Sequence, residues 1–332
     1  MVGVRYVSPV LRTLRHLALA AALAVVAAGC GSSGPSSPAS TTTGGTGVTA
    51  AATGLPTVTG AFGKAPRVTL PGPEPSGYSA TVVAAGKGAK VAKGDLLVVH
   101  YLGETWRDGK VFDQSYARGQ PVQFPIGVGK VIPGWDEKLV GQTIGSRVLL
   151  VLPPDKGYGT AGKAQAGIQG TDTLVFVVDI VGAFGANSSA DGAPLPPVAG
   201  LPTVTAKAGK KPVIVIPKGG AAPAKLVAQP LLKGTGAPVK KGQTLVAQYV
   251  GVVYGTGKQF DASWDRGAPA QFPIGVGQVI PGWDKALVGA TIGSRMLLVI
   301  PPADGYGTAG YAQAGIKGTD TLVFVVDILG AI

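Results

Sequence analysis

The sequence predicts an α+β fold, in which an antiparallel β-sheet wraps over one short α-helix, and it predicts this fold twice along the chain. Three observations support the prediction. Most of the chain is present in two copies, each copy contains several β-branched apolar runs, and each copy contains one short amphipathic helix. The composition agrees, because 53 Gly and 27 Pro with 14% charged residues favour strands and turns over long helices.

The duplication determines the domain organisation. A segment that begins at Phe124 recurs 148 residues later at Phe272, and the hexapeptide Gly-Leu-Pro-Thr-Val-Thr begins at both Gly54 and Gly200. A period of roughly 150 residues is too long for a solenoid repeat, so each copy is a whole domain. We therefore divide the chain into domain one over residues 54–184, a linker over 185–199 and domain two over 200–332.

The start of each copy is expected to be an ordered part of its domain. Residues 54–70 and 200–216 share the duplicated hexapeptide, whereas the neighbouring Gly- and Ser-rich tract is not duplicated. The run Val213-Ile-Val-Ile216 is typical of a strand and would be costly to leave in water.

Apolar patterning predicts the elements of each copy. Runs bounded by Gly, Pro or Asp predict strands over residues 95–102, 146–152 and 173–181, repeated over 243–250, 294–300 and 321–329. Trp135 and Leu139 are four residues apart and share one face of a helix that Pro133 suits as a start and Gly141 as an end. The second copy repeats this helix around Trp283.

The N-terminal region predicts export and a lipid anchor. In residues 1–30, three Arg precede an apolar run that is too short to cross a bilayer of ~30 Å. The run ends in Ala-Ala-Gly-Cys, which resembles the lipobox of bacterial lipoproteins. Cys30 is thus the expected lipidation site, on the outer face of the bacterial cytoplasmic membrane. An ordinary secretory signal with an incidental cysteine is the alternative. Residues 31–53 have no apolar periodicity and predict a flexible tether.

Several function classes are disfavoured by the sequence. The net charge of +12 is spread along the chain, and no basic run contains interleaved aromatics, which argues against nucleic-acid binding. The chain has two His residues, His16 in the signal and His100 in a strand. Because domain two has Gln248 in place of His100, it cannot hold a His-based triad or a His metal site.

A series of short motifs occurs in the same order in both copies. In domain one the motifs are Val98-Val-His-Tyr-Leu-Gly103, Val111-Phe-Asp-Gln-Ser115, Phe124-Pro-Ile-Gly127, Val131-Ile-Pro-Gly-Trp135, Gly157-Tyr-Gly159 and Thr173-Leu-Val-Phe176. Domain two repeats the series. The ordered motifs resemble the signature segments of FKBP-type peptidyl-prolyl isomerases, and the resemblance covers residues 78–182 and 226–330. It implies two FKBP-like domains, each able to catalyse rotation about X–Pro bonds without a cofactor or metal.

The resemblance also implies a pocket in which the substrate proline sits on the helix Trp. The implied catalytic residues are Tyr101, Phe112, Asp113, Trp135, Tyr158 and Phe176 in domain one, and Tyr249, Phe260, Asp261, Trp283, Tyr306 and Phe324 in domain two. The implied substrate-binding residues are Phe124, Val131, Ile132, Ile168, Phe272, Val279, Ile280 and Ile316. Ordinary core packing is the alternative for each apolar residue.

The resemblance also implies roles for several polar groups. The backbone N–H groups of Ile132 and Ile280 bind a substrate carbonyl, and the Tyr158 and Tyr306 hydroxyls donate at the rim. Asp113 and Asp261 lie beside the amide, oriented by a Tyr and by Arg118 or Arg266. A purely structural ion pair with the Arg is the alternative. At the rim, Lys163 and Tyr311 stand where the family often has His. The matching pockets predict similar turnover, and the different rims predict different substrate preferences.

The function expected from the sequence is a peptidyl-prolyl cis-trans isomerase that assists the folding of exported proteins. Its implied partners are proline-containing polypeptides, macrolide inhibitors of the FKBP family and, through the lipid, the membrane. One alternative is a module that binds proline-containing segments, or a holdase-type chaperone, with little turnover. Another is a lipid-anchored structural or adhesive protein. The presence of the Asp, Tyr and Trp positions in both copies favours the enzyme.

Overall fold

The computed structural model describes residues 54–75 and 77–332. The predicted signal peptide, the lipidation site Cys30 and the predicted tether lie outside the described residues. Within the described part of the chain, no helix is both long enough and apolar enough to span a bilayer.

Domain one consists of a small hairpin, a six-stranded antiparallel sheet and one helix. The hairpin pairs β1 (Thr57–Thr59) with β2 (Arg67–Thr69). The rest of the domain comprises β3 (Ser79–Ala84), β4 (Leu96–Thr105), β5 (Val111–Gln114), β6 (Val122–Pro125), α1 (Pro133–Leu139), β7 (Arg147–Leu152) and β8 (Leu174–Phe184). The strand order is β3-β7-β8-β4-β5, and β6 also pairs with β4. The three strands predicted from the sequence correspond to β4, β7 and β8.

Domain two repeats this arrangement with one additional strand. It comprises β9 (Ala193–Pro194), β10 (Thr203–Thr205), β11 (Val213–Val215), β12 (Val227–Lys233), β13 (Thr244–Val253), β14 (Gln259–Ala262), β15 (Ala270–Pro273), α2 (Pro281–Leu287), β16 (Arg295–Ile300) and β17 (Leu322–Ala331). The sheet order is β14-β13-β17-β16-β12-β9, with β15 also paired to β13, while β10 and β11 form a separate hairpin. The predicted α+β architecture is confirmed in both domains.

The single helix of each domain packs on the inner face of its sheet. In domain one, Ile132 is extended (φ −61°, ψ 147°) and Pro133 begins the helix, a position where the N–H that proline lacks would have no partner. Trp135 and Leu139 are both buried against the sheet. A Cβ at Gly134 would lie 2.6 Å from a methyl carbon of Leu152, so glycine allows the helix to approach β7 closely.

The hairpins cover the outer face of each sheet. In domain one, Leu55, Val58, Val68 and Leu70 pack against an apolar cluster that includes Trp106, Leu149, Val151, Val175 and Val177. In domain two, Leu201, Val204, Ile214 and Ile216 take the same places. The duplicated segments therefore belong to the packed structure of each domain.

A buried ion pair lies at the same position in both sheets. Arg147 and Asp179 are joined by two hydrogen bonds of 2.6 and 2.8 Å, and the loop between β1 and β2 supplies the carbonyl of Gly60 to Arg147 and the amide of Gly63 to Asp179. The matching pair in domain two is Arg295–Asp327.

Residues 185–199 complete the surroundings of this second pair. The amide of Ala190 donates to Asp327 (3.0 Å), and the side-chain amide of Gln248 donates to the carbonyl of Ala186 (2.9 Å). Ala193 and Pro194 form β9 at the edge of the domain-two sheet. This segment of chain therefore lies against domain two along much of its length.

Candidate active site

A cavity of about 560 Å³ opens over the helix of domain one. Its lining includes nine of the ten predicted site residues: Tyr101, Phe112, Asp113, Phe124, Val131, Ile132, Trp135, Tyr158 and Phe176. The tenth, Ile168, is buried at the base of the rim loop, where its carbonyl accepts a hydrogen bond from the amide of Lys163 (2.8 Å). Val122, Lys130, Pro133 and Gly157 also line the cavity and were not identified from the sequence.

Trp135 forms the floor of the cavity. Its ring is nearly perpendicular to those of Tyr101 and Phe176, at centroid distances of 5.3 and 5.2 Å, and it packs at 5.2 Å against Phe124. Edge-to-face pairs of this kind add favourable electrostatics to the burial of apolar area. The rings therefore form a stiff apolar surface.

A glycine in β4 allows two further rings to meet. Phe112 and Phe176 are in edge contact at 5.5 Å over Gly103. A Cβ at Gly103 would lie 2.7 Å from both rings, and real Cβ atoms do not approach other atoms so closely. The glycine that ends the first motif is thus required by the shape of the pocket wall.

One carboxylate faces this apolar surface. Asp113 accepts hydrogen bonds from the Tyr101 hydroxyl and from Arg118 (2.6 Å), and Arg118 also donates to the Tyr101 oxygen (3.2 Å). Burial opposes ionisation of Asp113, but these hydrogen bonds outweigh it and hold the pKa of the carboxyl below its usual value. Burial, together with the bond to Asp113, raises the pKa of Tyr101 to about 12, so its phenol remains a donor.

The strand that carries Asp113 is held against β4 by a serine. The amide of Tyr101 donates to the Ser115 hydroxyl (2.9 Å), and the amide of Ser115 donates to the carbonyl of Tyr101 (2.9 Å). The last residue of the Phe-Asp-Gln-Ser motif therefore fixes the distance between the tyrosine and the aspartate.

The loop before the helix presents a backbone donor at the pocket mouth. The amide of Ile132 makes no hydrogen bond to any residue in the described ranges. Asp136 holds this loop in place by accepting the amides of Gly127 (2.7 Å) and Gly129 (2.5 Å), both at positive φ. Sequence reasoning gave Asp136 no role, because a carboxylate in a first helical turn is common on exposed helices.

Domain two brings together the same set of residues. Trp283 contacts Tyr249, Phe272 and Phe324 at 5.4, 5.0 and 5.3 Å. All of its predicted apolar site residues are buried in one cluster or packed against it: Tyr249, Phe260, Phe272, Val279, Ile280, Trp283, Tyr306, Ile316 and Phe324. Asp261 accepts from the Tyr249 hydroxyl and from Arg266, and Arg266 also donates to the Tyr249 oxygen (2.7 Å).

Comparison with known proteins identifies the family. The model of the FKBP-type peptidyl-prolyl cis-trans isomerases matches residues 87–181 and 236–329, which together exceed half of the chain. The FK506-binding protein of Streptomyces anulatus is 43% identical over 120 residues, covering 36% of this chain and 96% of that protein. The rat protein FKBP9, a peptidyl-prolyl cis-trans isomerase, is 31% identical over 236 residues, covering 71% of this chain and 35% of that one.

Two solved structures are similar to this chain over about a third of its length. AtFKBP13 is 36% identical over 32% of this chain and 94% of its own, with a TM-score of 0.30. FkpA from Escherichia coli is 42% identical over 33% of this chain and 49% of its own, with a TM-score of 0.30. The enzyme class inferred from the motifs is confirmed by the two family matches. The chain thus belongs to the FKBP-type peptidyl-prolyl cis-trans isomerase family and contains two copies of that family's domain.

Proposed function

We propose that both domains catalyse cis–trans isomerisation of X–Pro bonds in exported proteins and so assist their folding outside the membrane. The observation that carries the proposal is the combination, in domain one, of an aromatic pocket, a backbone amide at its mouth that makes no hydrogen bond to the described residues, and a carboxylate held by a Tyr and an Arg. Domain two repeats the aromatic cluster and the held carboxylate.

Such a pocket suits a reaction that only needs its barrier lowered. Rotation about a peptide bond costs ~18–20 kcal/mol because resonance gives the C–N bond partial double-bond character. The two isomers of an X–Pro bond are close in energy, so no other energy source is required. The planar amide is more dipolar than the twisted transition state. A dry aromatic surface therefore favours the twisted form.

The polar groups act on the twisted amide. The Ile132 amide would donate a hydrogen bond to the carbonyl of a residue next to the proline, and the Trp135 ring would support the pyrrolidine. The Asp113 carboxylate, fixed by Tyr101 and Arg118, would stand beside the rotating bond as a preorganised charge. Domain two offers the same groups. The same pockets are proposed to bind macrolides, in line with the name of the Streptomyces relative.

The location outside the membrane is supported by the sequence of the N-terminal region. A positively charged start, a short apolar run and Ala-Ala-Gly-Cys precede a polar tract, as in exported lipoproteins. A lipid on Cys30 would hold the two domains near proteins that emerge from the export machinery.

A protease-coupled proline-isomerisation assay on the full chain tests the activity. Asp113→Ala and Asp261→Ala should each lower kcat/KM at their own site about tenfold or more, because each removes a hydrogen-bonded charge, and the double variant should lose most activity. Asp108→Ala is the matched control, since Asp108 pairs with Arg107 outside the cavity. Binding of proline peptides without any acceleration would assign the chain to the binding modules instead.

A further inference from the structure

The two sites contain matching residues but differ in how far they are open. The Asp113 side chain is 44% exposed and that of Asp261 is 6% exposed. Phe124 in domain one is partly exposed, whereas its counterpart Phe272 is 1% exposed. The carboxylate Asp261 and the aromatic residue Phe272 of site two are therefore less exposed to solvent than their counterparts in site one.

The backbone of the rim loop does not explain the difference. Tyr158 has φ −97° and ψ 7°, and Tyr306 has φ −92° and ψ 5°. Lys163 has φ −143° and ψ 80°, and Tyr311 has φ −143° and ψ 88°. The two loops have the same backbone conformation at these positions and carry different side chains at 163 and 311.

The residue opposite the rim tyrosine differs between the domains. In domain two the rings of Tyr306 and Tyr311 are stacked, with centroids 5.2 Å apart and planes 16° from parallel, and the Tyr311 hydroxyl donates to Gln313 (2.9 Å). In domain one the Lys163 ammonium lies 5.0 Å from the Tyr158 ring. An aromatic partner holds Tyr306 by its face, whereas a lysine is flexible and hydrated.

Tyr306 and Tyr311 both pack against the buried cluster that contains Tyr249 and Trp283. Burial raises the pKa of Tyr306, and the nearby charges of Tyr249, Asp261 and Tyr311 raise it further. Its hydroxyl is therefore within electrostatic reach of the same tyrosine and aspartate that site two offers to a substrate.

We propose that Tyr311 is a specificity-determining residue that keeps site two closed by stacking on Tyr306, while Lys163 leaves site one open. This rests on the proposed function and refines the expectation of similar turnover. A proline segment enters site two only when the pair opens. Segments with a large aromatic residue next to proline are favoured, because that residue replaces the lost stacking partner.

The size of the effect follows from the strength of one stacked pair. Such a pair favours the closed state by a factor of about 2 to 12. The apparent KM of site two rises by up to the same factor, since only the open fraction binds, and kcat is unchanged once substrate is bound.

The test uses the full chain with one site inactivated. With Phe112→Ala and Asp113→Ala in site one, Tyr311→Lys should lower the KM of site two about 2- to 12-fold at constant kcat, and Tyr311→Phe, which keeps the ring, should leave KM unchanged. With Phe260→Ala and Asp261→Ala in site two, Lys163→Tyr should raise the KM of site one. An unchanged KM in both reciprocal variants, or a fall in kcat alone, would overturn the proposal.

A binding measurement separates this proposal from the isomerase assignment. Titration of the same proteins with a Phe-Pro tetrapeptide, followed by calorimetry, should show tighter binding at site two in Tyr311→Lys. Tighter binding in a chain without isomerase activity would support closure of site two by Tyr311 and reject the proposed function. Isomerase activity with the affinity and KM of site two unchanged in Tyr311→Lys would reject closure by Tyr311 and keep the proposed function.

Discussion

Glu104 should make the stability of domain one depend on pH. It lies on the outer face of the sheet, opposite Val111 and Val175 on the neighbouring strands, and is 5% exposed. Its Oε1 has no hydrogen-bond partner within the ranges described. Burial therefore raises the pKa of Glu104 from 4.5 to about 7. Domain two has Val252 at the matching position.

The sign and size follow from the difference between the folded and unfolded pKa. Burial makes the Glu104 proton harder to remove in the folded protein than in the unfolded chain. Above the unfolded pKa, where the unfolded carboxylate is ionised, this difference lowers the free energy of unfolding. This loss of unfolding free energy begins near pH 4.5 and is complete above pH 7. A difference of roughly 2.5 pKa units corresponds to about 3 kcal/mol. Domain one should lose up to that amount of unfolding free energy between pH 5 and pH 8.

The assay is urea denaturation at pH 5 and pH 8, read by hydrogen exchange so that Leu96–Thr105 and Thr244–Val253 report the two domains separately. Glu104→Gln keeps the shape and removes the charge, and Glu104→Val copies domain two. Both variants should gain about 3 kcal/mol over the wild type at pH 8 and much less at pH 5. Domain two is the internal control. Parallel pH curves for wild type and Glu104→Gln would refute the reasoning.

Three further predictions concern other parts of the chain. Deletion of residues 200–216 should lower the melting temperature of domain two by about 5 °C or more, because Val204 and Ile214 cover its outer face; unchanged melting would exclude a structural role. Cys30→Ala should abolish incorporation of a fatty-acid label, and equal labelling would contradict lipidation. Site one should prefer Glu-Pro over Lys-Pro peptides by at most about 1 kcal/mol through Lys163, a preference that salt weakens. Identical kcat/KM for both peptides would show that the Lys163 charge does not affect substrate preference.

The elements that form the core were predictable because they are apolar on a regular period. β4, β7 and β8 coincide with β-branched runs, and the helix lies where Trp135 and Leu139 are four residues apart. The pocket residues were predictable through motif resemblance, and nine of ten in domain one line a single cavity.

Other features depend on tertiary packing that no local pattern encodes. The alternation of His100, Leu102 and Glu104 is typical of a solvent-facing strand face, yet the hairpin packs on the outer face of the sheet and Glu104 is buried. The closed state of site two depends on the side-chain position of Tyr306. A residue's identity does not specify its rotamer, so this closure could not be read from the sequence.

The packing of residues 185–199 determines where an independently studied second domain has to begin. A fragment cut at the repeat boundary, residue 200, would lack the Ala190 amide that Asp327 accepts and the Ala186 carbonyl to which Gln248 donates. Both side chains are buried, so water would have to enter or the groups would remain unsatisfied. The repeat unit in the gene and the folding unit in the protein therefore have different starting points. Domain exchange or truncation should be placed upstream of Ala186.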